Sequence, residues 1–253
     1  MAKKKRLSQE MYPTADLGNV IKIPIDETFG IVSDTHFGSA HQGLDNLHKM
    51  YDDFDNAGVE QVFHAGDLTD GERVYRGHNR YLKHHGYEAQ ANWTIAKYPE
   101  IEGIKTYIIA GNHDLSFFIQ SQADIVKYVC NYRKDLDYAG MIYARFQDGQ
   151  FKLDTLHPAG GGYYSKSYGV QKWIRNNEMP KTYPDMMVFG HWHTHGYFSD
   201  HGVDALLAGN FQDPNEYHIR RGYTGSSGGW IVETDRTSKG KLEGLKLDWR
   251  GKK

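Results

Sequence analysis

Four short apolar runs in this sequence each end directly in a polar segment that carries Asp, His or Asn. The runs have the composition of buried β-strands and cover residues 28–33, 59–65, 105–110 and 186–189. In α/β sheets, functional side chains gather at the carboxyl ends of strands, because the rigid sheet fixes loops that need not pack a core. The pattern therefore predicts an α/β chain with a site assembled at strand ends.

The polar segments supply oxygen and nitrogen ligands for metal ions. Five segments qualify: Asp34-Thr35-His36, Gly66-Asp67, Gly111-Asn112-His113-Asp114, Leu156-His157 and Gly190-His191-Trp192-His193. Together they hold enough donors for two metal ions. Cys130 is the lone cysteine, which excludes an internal disulfide and a cysteine-cluster zinc site. Any metal must therefore be held by His, Asp and Asn side chains.

The chain of 253 residues predicts one domain, residues 1–253, because no shift in composition divides it. Within this domain we expect a flexible basic tail over residues 1–20, a helical insertion near the site over 71–98, and a peripheral carboxyl end over 235–253. Apolar residues at helical spacing, which stop at Gly58, predict a helix after the first polar segment. Residues 141–146, 151–156, 205–211 and 230–234 are expected to be further strands that complete a second sheet.

The sequence contains no apolar stretch near the roughly 18 residues that a membrane helix needs, and its amino terminus lacks a signal-peptide core. We therefore expect a cytoplasmic protein without a membrane partner. The formal net charge of −2 provides no global field that would attract nucleic acid, so any such binding must depend on local basic patches.

The five polar segments, in their order, resemble the signature blocks of the calcineurin-like metallophosphoesterase superfamily, which are D-x-H, G-D, G-N-H-D/E, a lone His and G-H-x-H. The resemblance covers residues 34–193. It implies a four-layer αββα sandwich of two facing mixed β-sheets flanked by helices. It also implies two divalent ions, one held by Asp34, His36, Asp67 and His193, the other by Asp67, Asn112, His157 and His191. Asp67 would bridge the two ions.

The same resemblance implies that a water between the metals, as hydroxide, is the nucleophile on a phosphoester. His113 resembles the histidine that contacts the phosphate or protonates the leaving oxygen, and we expect Asp114 to orient its imidazole. The alternative for His113 is a supporting residue that transfers no proton. Glycines 66, 111 and 190 would let the backbone turn tightly where a Cβ would crowd the site.

The donor chemistry also predicts which metals are suitable. Mixed carboxylate, amide and imidazole ligands suit Mn, Fe or Zn better than Mg. Manganese is our first expectation, partly because resembling nucleases and phosphodiesterases often use it, with Fe, Zn or Ni as alternatives.

The substrate is predicted less directly. Two divalent ions with two carboxylates leave a centre of about +2, which one hydroxide and one phosphodiester monoanion would neutralise. The superfamily's protein phosphatases carry arginines that grip a phosphate dianion, whereas Gly71, Leu115 and Ser116 stand at the corresponding positions here. These features favour a phosphodiesterase that acts on a nucleic acid or nucleotide. A phosphomonoesterase and a non-catalytic scaffold of the same fold remain as alternatives.

Further similarity to the DNA-repair exonuclease and phosphodiesterase branch lies in residues 157–165, 209–212 and 228–230. The predicted substrate contacts are Arg73, Arg76, Tyr163 and Tyr164, because cations can meet phosphate and tyrosines can stack on bases. The alternatives are an ordinary solvated helix for the segment with the arginines and exposed tyrosines that bind nothing. A homo-oligomer or a nuclease-complex partner would help such a small domain to hold long DNA.

Overall fold

A computed structural model describes residues 20–160, 165–175, 182–222 and 225–252. Residues 1–19, which include most of the predicted basic tail, lie outside the described parts. The strands are β1 Val20–Lys22, β2 Thr28–Val32, β3 Gln61–His64, β4 Lys105–Ile109, β5 Leu136–Gly140, β6 Tyr143–Asp148, β7 Phe151–Leu156, β8 Met186–Phe189, β9 His195–Asp200, β10 Val203–Ala208, β11 Gly228–Arg236 and β12 Leu242–Gly251. The helices are α1 Leu44–Asn56, α2 Tyr87–Lys97, α3 Leu115–Ser121, α4 Ile125–Tyr132, α5 Lys166–Arg175 and α6 Glu216–Arg221, with a 3₁₀ helix at His78–Tyr81.

The strands form two six-stranded mixed sheets. Sheet A has the order β1-β6-β7-β8-β10-β9, and sheet B has the order β12-β11-β2-β3-β4-β5. β2, β3, β4 and β5 run parallel in sheet B, as do β7, β8 and β10 in sheet A. Parallel neighbours end at the same edge of a sheet, so the loops after these strands meet there.

Three apolar layers hold the sheets and helices together. Between the sheets, Phe63 of β3 contacts Phe146 of β6 with ring centroids 4.7 Å apart. Helix α1 places Leu47 and Phe54 in the core on the outer side of sheet B, while Val170 of α5 packs on the outer side of sheet A. The predicted four-layer αββα sandwich is therefore confirmed.

The helix predicted after the first polar segment is α1. Its apolar residues recur at a spacing that places Leu47, Met50, Tyr51 and Phe54 on one buried face. The chain leaves the helix through Gly58, whose φ of +69° suits glycine.

Sequence analysis missed β1, β5, β9 and β12. The carboxyl end does lie at an edge of sheet B, but as strand β12, which pairs antiparallel along β11. Residues 245–250 alternate Leu, Lys, Leu, Asp, Trp and Arg, which is the period of a strand with one face packed. The ring of Trp249 stacks on His195 of sheet A at a centroid distance of 4.3 Å, so this end also joins the two sheets.

The segment predicted as a helical insertion is helical only over the 3₁₀ helix and α2. Gln90 of α2 fixes the preceding loop, because its side chain accepts a hydrogen bond from Gly71 N and donates to the carbonyl oxygens of Gly71 and His84. Across the described parts of the chain, no helix has the length and apolar composition that a bilayer crossing requires.

Candidate metal centre

The structure brings the seven predicted metal-ligating residues together at the strand ends. Asp34 and His36 follow β2, Asp67 follows β3, Asn112 follows β4, His157 follows β7, and His191 and His193 follow β8. Both sheets therefore contribute, since β2, β3 and β4 belong to sheet B while β7 and β8 belong to sheet A. Asp34, His36, Asp67 and His157 are buried.

The backbone at these residues is strained. Only eight described non-glycine residues have positive φ, and five of them are predicted ligands: Asp34, His36, Asp67, His191 and His193. Such conformations are uncommon for non-glycine residues and cost of order 1–3 kcal/mol each. The strained backbone thus lowers the stability of the fold and holds these donors in the centre.

The donor atoms form two clusters. In the first, Asp34, His36 and His193 offer atoms that lie within 4.8 Å of one another, and His36 Nε2 is 3.0 Å from His193 Nε2. In the second, Asp67, His157 and His191 do the same. His157 Nε2 lies 3.1 Å from Asp67 Oδ2 and 3.1 Å from Asn112 Oδ1.

Asp67 belongs to both neighbourhoods, because its Oδ2 is 3.9 Å from His36 Nε2 and 3.1 Å from His157 Nε2. A third group of donors, His36, Asp67 and His113, overlaps both clusters and reflects the same central position. At such distances the imidazole nitrogens face carboxylate and amide oxygens. In the described part of the chain, no Lys or Arg side chain lies between these atoms to neutralise them. The donor set therefore fits two divalent ions that share Asp67.

Hydrogen bonds fix which ring nitrogen of each histidine is free. His36 Nδ1 donates to Asp70 Oδ1 at 2.9 Å, and His157 Nδ1 donates to the Ala65 carbonyl at 2.8 Å. Both leave Nε2 with a lone pair, which is what a metal ligand requires. His191 Nε2 donates to the Gly160 carbonyl at 2.5 Å, so its Nδ1 is the free nitrogen.

The electrostatics of the centre favour a bound cation. Burial opposes ionisation of Asp34 and Asp67, but nearby histidines outweigh it and hold both pKa values below the usual range. Burial alone would lower the pKa of His157, whereas the charge of Asp67 raises it to about 9. A proton and a metal ion compete for the same lone pair, so the field that holds this proton also attracts a metal.

The predicted role of the glycines is visible as close approach between the loops. A Cβ on Gly66 would lie within 3.0 Å of the His157 ring, and one on Gly111 would lie equally close to the Asp67 carboxylate. At Gly190 a Cβ would meet the Ala65 carbonyl. Side chains at these positions would displace the donors themselves.

The prediction that Asp114 orients His113 is wrong. Its two carboxylate oxygens accept four hydrogen bonds, from Leu68 N (3.0 Å) and Gly111 N (2.8 Å) at Oδ2 and from Thr69 N and Thr69 Oγ1 (2.7 Å each) at Oδ1. Four donors fill the acceptor capacity of a carboxylate. Burial, with a smaller contribution from Asp67, raises the pKa of Asp114 to about 6. Asp114 therefore ties together the loops after β3 and β4.

Asp70 takes the role expected of Asp114. His113 Nδ1 donates to the Asp70 backbone carbonyl at 2.6 Å and lies 3.4 Å from Asp70 Oδ1. These contacts leave Nε2 as the free nitrogen of His113. Burial favours the neutral ring, but the charge of Asp67 and a hydrogen bond to Asp70 raise the pKa of His113 above its ordinary value.

Sequence analysis also missed how many groups converge on Asp70. Besides the two histidines, Gln212 Nε2 donates to Asp70 Oδ1 at 3.3 Å, and His78 Nε2 lies 3.4 Å from Oδ2. The signal was present, because Asp67 and Asp70 form the G-D-x-x-D spacing. His78, in the 3₁₀ helix, and Gln212, in the loop after β10, had no comparable signal.

A cavity of about 420 Å³ lies over the centre. Tyr75, Trp192, Tyr217 and His218 form its aromatic walls, and Gly160 lies at its rim. The Tyr75 and Tyr217 rings stack with centroids 4.4 Å apart. Among the described residues that line the cavity, none is Lys or Arg.

The structure does not place the predicted arginine contacts in this cavity. Arg73 and Arg76 are exposed and line a neighbouring groove, whereas Val74 and Tyr75 between them line the cavity. Tyr163 and Tyr164 lie outside the described residues.

The chain is similar to several solved structures at low sequence identity. No curated protein matches the chain. Similar solved structures include a novel archaeal phosphodiesterase, which is 16% identical, with 88% of this chain and 99% of that chain covered and a TM-score of 0.47. Yfce, a phosphoesterase from E. coli, is 17% identical over 87% of this chain and 98% of that chain, with a TM-score of 0.47. Vps29 complexed with Zn from Entamoeba histolytica is 12% identical over 88% and 98%, with a TM-score of 0.39.

These TM-scores lie below 0.5, so the family assignment depends on the sequence match. A family model described as calcineurin-like phosphoesterase matches residues 27–218, which is more than half of the chain. The two mixed sheets flanked by helices are the metallophosphoesterase fold, and this fold implies divalent metal ions. All five polar segments lie inside the matched range, and the chain belongs to the calcineurin-like phosphoesterase family.

Proposed function

We propose that this protein is a metal-dependent phosphodiesterase that hydrolyses a phosphodiester of a nucleic acid or nucleotide. The observation that carries the proposal is a shared donor centre under a cavity whose described lining has no Lys or Arg. A phosphate monoester dianion needs additional cations, which the superfamily's phosphatases supply as arginines. A diester monoanion needs only the charge of the centre.

The residues that would hold two divalent ions are Asp34, His36, Asp67, Asn112, His157, His191 and His193, with Asp67 between the two sites. Manganese is the first candidate, because the donors mix carboxylate, amide and imidazole. When bound, such ions lower the pKa of a coordinated water and neutralise charge on the non-bridging phosphate oxygens.

His113 would act on the leaving group. Its Nδ1–H bond to the Asp70 carbonyl fixes the ring, and the charge of Asp67 and the hydrogen bond to Asp70 raise its pKa, which favours the protonated form. As the bond between phosphorus and the leaving oxygen breaks, the Nε2 proton moves to that oxygen, so that an alcohol leaves rather than an alkoxide. Asp70 holds the geometry, while Asp114 fixes the loop that carries His113.

The test compares hydrolysis of bis-p-nitrophenyl phosphate with that of p-nitrophenyl phosphate by the manganese-loaded protein. We expect preference for the diester and loss of turnover in EDTA. His113→Ala should decrease hydrolysis of a diester with an alkoxide leaving group by about 10²–10⁴-fold, and should affect bis-p-nitrophenyl phosphate much less, because p-nitrophenolate leaves without a proton. Equal or better hydrolysis of the monoester would overturn the diesterase assignment. Absence of metal-dependent turnover on either ester, with metal bound, would favour a scaffold.

A further inference from the structure

A second groove opens beside the cavity and shares a wall with it. Residues 73–80 line this groove, which has a volume of about 590 Å³. Val74 and Tyr75 line both the groove and the cavity. A chain molecule that leaves the cavity over this wall therefore enters the groove.

The wall of the groove contacts the residue proposed as the proton donor. The His78 ring lies perpendicular to the His113 ring at a centroid distance of 5.2 Å, and the Tyr75 ring is 6.5 Å from it. The groove thus begins next to the position of the leaving oxygen.

The groove is basic, although the whole chain carries a formal net charge of −2. Residues 71–80 contain three arginines and one acid, a formal charge of +2. Arg80 pairs with Glu216 at 3.1 Å. In the parts of the chain that the structure describes, no carboxylate pairs with Arg73 or Arg76, and both are exposed. Glu72, the one acid here, accepts a hydrogen bond from Gly86 N at 2.6 Å.

The loop that carries these arginines is fixed by its own contacts. Arg73 has a φ of +56°, and its backbone N–H donates to Asn79 Oδ1 at 2.8 Å. Glu72 N donates to Ser116 Oγ at 2.9 Å, which ties the loop to α3. The two free guanidinium groups therefore extend from an anchored backbone, which lowers the entropy cost of binding.

The cavity has room for about one nucleotide, since pockets of roughly 300–1,000 Å³ enclose a single small ligand. Phosphates next to the cleaved one must then be contacted outside it. A base-paired duplex cannot place a base in such a recess without unpairing it, whereas a single strand can place both a phosphate and its base there.

We propose that the groove binds the phosphate backbone of a single nucleic-acid strand, with Arg73 and Arg76 contacting phosphates that flank the cleaved diester. This inference rests on the proposed phosphodiesterase function and specifies its substrate as a strand rather than a small nucleotide. The two arginines would contact phosphates and no base edges, so DNA and RNA strands both fit.

The test is binding of a fluorescent single strand of about 12 nucleotides to the manganese-loaded full chain, followed by anisotropy over a range of salt concentrations. Phosphorothioate linkages keep the backbone charge and resist hydrolysis. Arg73→Gln/Arg76→Gln is compared with Lys127→Gln/Lys134→Gln, which removes two exposed charges in and after α4. Thermal unfolding checks that both variants are folded.

We expect the arginine variant to weaken binding about tenfold and to reduce the slope of log K against log salt by about 1.4, that is, about 0.7 for each lost phosphate contact. The lysine variant should leave both unchanged. An unchanged slope in the arginine variant, equal losses in the two variants, or tighter binding of the duplex would overturn the proposal.

The same preparation of the wild-type protein is assayed with bis-p-nitrophenyl phosphate. If it hydrolyses the diester but does not bind the strand, the strand proposal fails and the phosphodiesterase function stands. If it binds the strand through the arginines but hydrolyses no diester, the binding site stands and the proposed function fails.

Discussion

Two buried polar clusters in this molecule have opposite designs. One is the metal centre, and the other is the Arg145 cluster, which consists of Arg145, Asp154 and Tyr143 and contacts the exposed Thr182 at its edge. Arg145 donates to both carboxylate oxygens of Asp154, at 2.6 and 2.7 Å, and the Tyr143 hydroxyl donates to the same carboxylate at 3.0 Å. Arg145 Nη1 also donates to the Thr182 carbonyl at 3.0 Å. This cluster supplies its own cation.

The metal centre gathers acceptors without such a cation. No Lys or Arg from the described residues lines the cavity above it, and imidazole nitrogens of His36 and His193 face each other at 3.0 Å. The backbones differ as well. Arg145 and Asp154 are direct partners in the regular ladder of β6 and β7, whereas five donors of the centre have positive φ. The Arg145 cluster is closed, because its carboxylate is neutralised by its own arginine. The metal centre is open, because its carboxylates and imidazoles remain available to bind an external cation.

The largest effect should come from changing the charge that the two donor clusters share. Asp67→Asn removes the carboxylate between them, so we expect loss of at least one metal and a decrease in kcat/KM of at least about 10⁴-fold, or more than about 5 kcal/mol. Elemental analysis and diester hydrolysis measure the two quantities. Wild-type metal content with wild-type activity would contradict the assignment of Asp67 as the bridge.

Breaking the closed cluster should cost stability instead of metal. Arg145→Met leaves Asp154 buried without its cation, and we expect a loss of about 3–5 kcal/mol in the free energy of unfolding at pH 7, with metal content unchanged. Adding Asp154→Leu should recover most of this loss. Denaturant unfolding of both variants measures it, and a double variant less stable than Arg145→Met would contradict the explanation.

The Arg145→Met effect should also depend on pH. Burial raises the pKa of Asp154 above its ordinary value of 3.8, and the hydrogen bond and charge of Arg145 oppose this rise. Without Arg145 the folded-state pKa rises further, so the folded variant keeps a proton that the unfolded chain releases. Relative to the wild type, the destabilisation is therefore smallest below the folded-state pKa of Asp154 in the wild type and grows as the pH rises from there toward the higher folded-state pKa of the variant.

A smaller effect is expected at Asp70, which belongs to the centre without being a metal ligand. Asp70→Asn removes the charge that holds His36 and His113, and we expect kcat/KM to decrease about 10–100-fold while metal largely remains. Because Asp70 raises the pKa of His113, the alkaline limb of the kcat profile should shift to lower pH. An unchanged pH profile would mean that Asp70 acts on His36 alone.

Most residues of the metal centre could be predicted from the sequence, because they follow strands that are recognisable by composition. The role of Asp114 was mispredicted because adjacency along the chain does not imply side-chain contact. Asp114 precedes α3, and its carboxylate turns back to Thr69 and Gly111 instead of toward its neighbour His113. The convergence on Asp70 needs the loops after β2, β3, β4 and β10 and thus the whole fold.

The pairing of Arg145 with Asp154 could almost have been predicted from the sequence. Residues 141–146 and 151–156 were both expected to be strands, and the observed strands are separated by only Gly149 and Gln150. The register that makes Arg145 and Asp154 partners follows from that short turn. The exposed strand β9 offered no such constraint, because its polar residues lie on a sheet edge where packing does not enforce a pattern.

The last prediction tests whether burial, rather than pairing itself, gives the Arg145 cluster its expected strength. Lys246 and Glu233 are direct cross-strand partners on β12 and β11, as Arg145 and Asp154 are on β6 and β7, and Lys246 Nζ lies 2.6 Å from Glu233 Oε1. Both side chains are largely exposed, with 71% and 46% of their surface accessible. Water screens this pair and each ion keeps its hydration when the partner is lost, so Lys246→Gln should cost less than about 1 kcal/mol, and still less at high salt. Denaturant unfolding at low and high salt measures this loss. A loss equal to that of Arg145→Met would show that cross-strand pairing, not desolvation of the unpaired partner, dominates both sites.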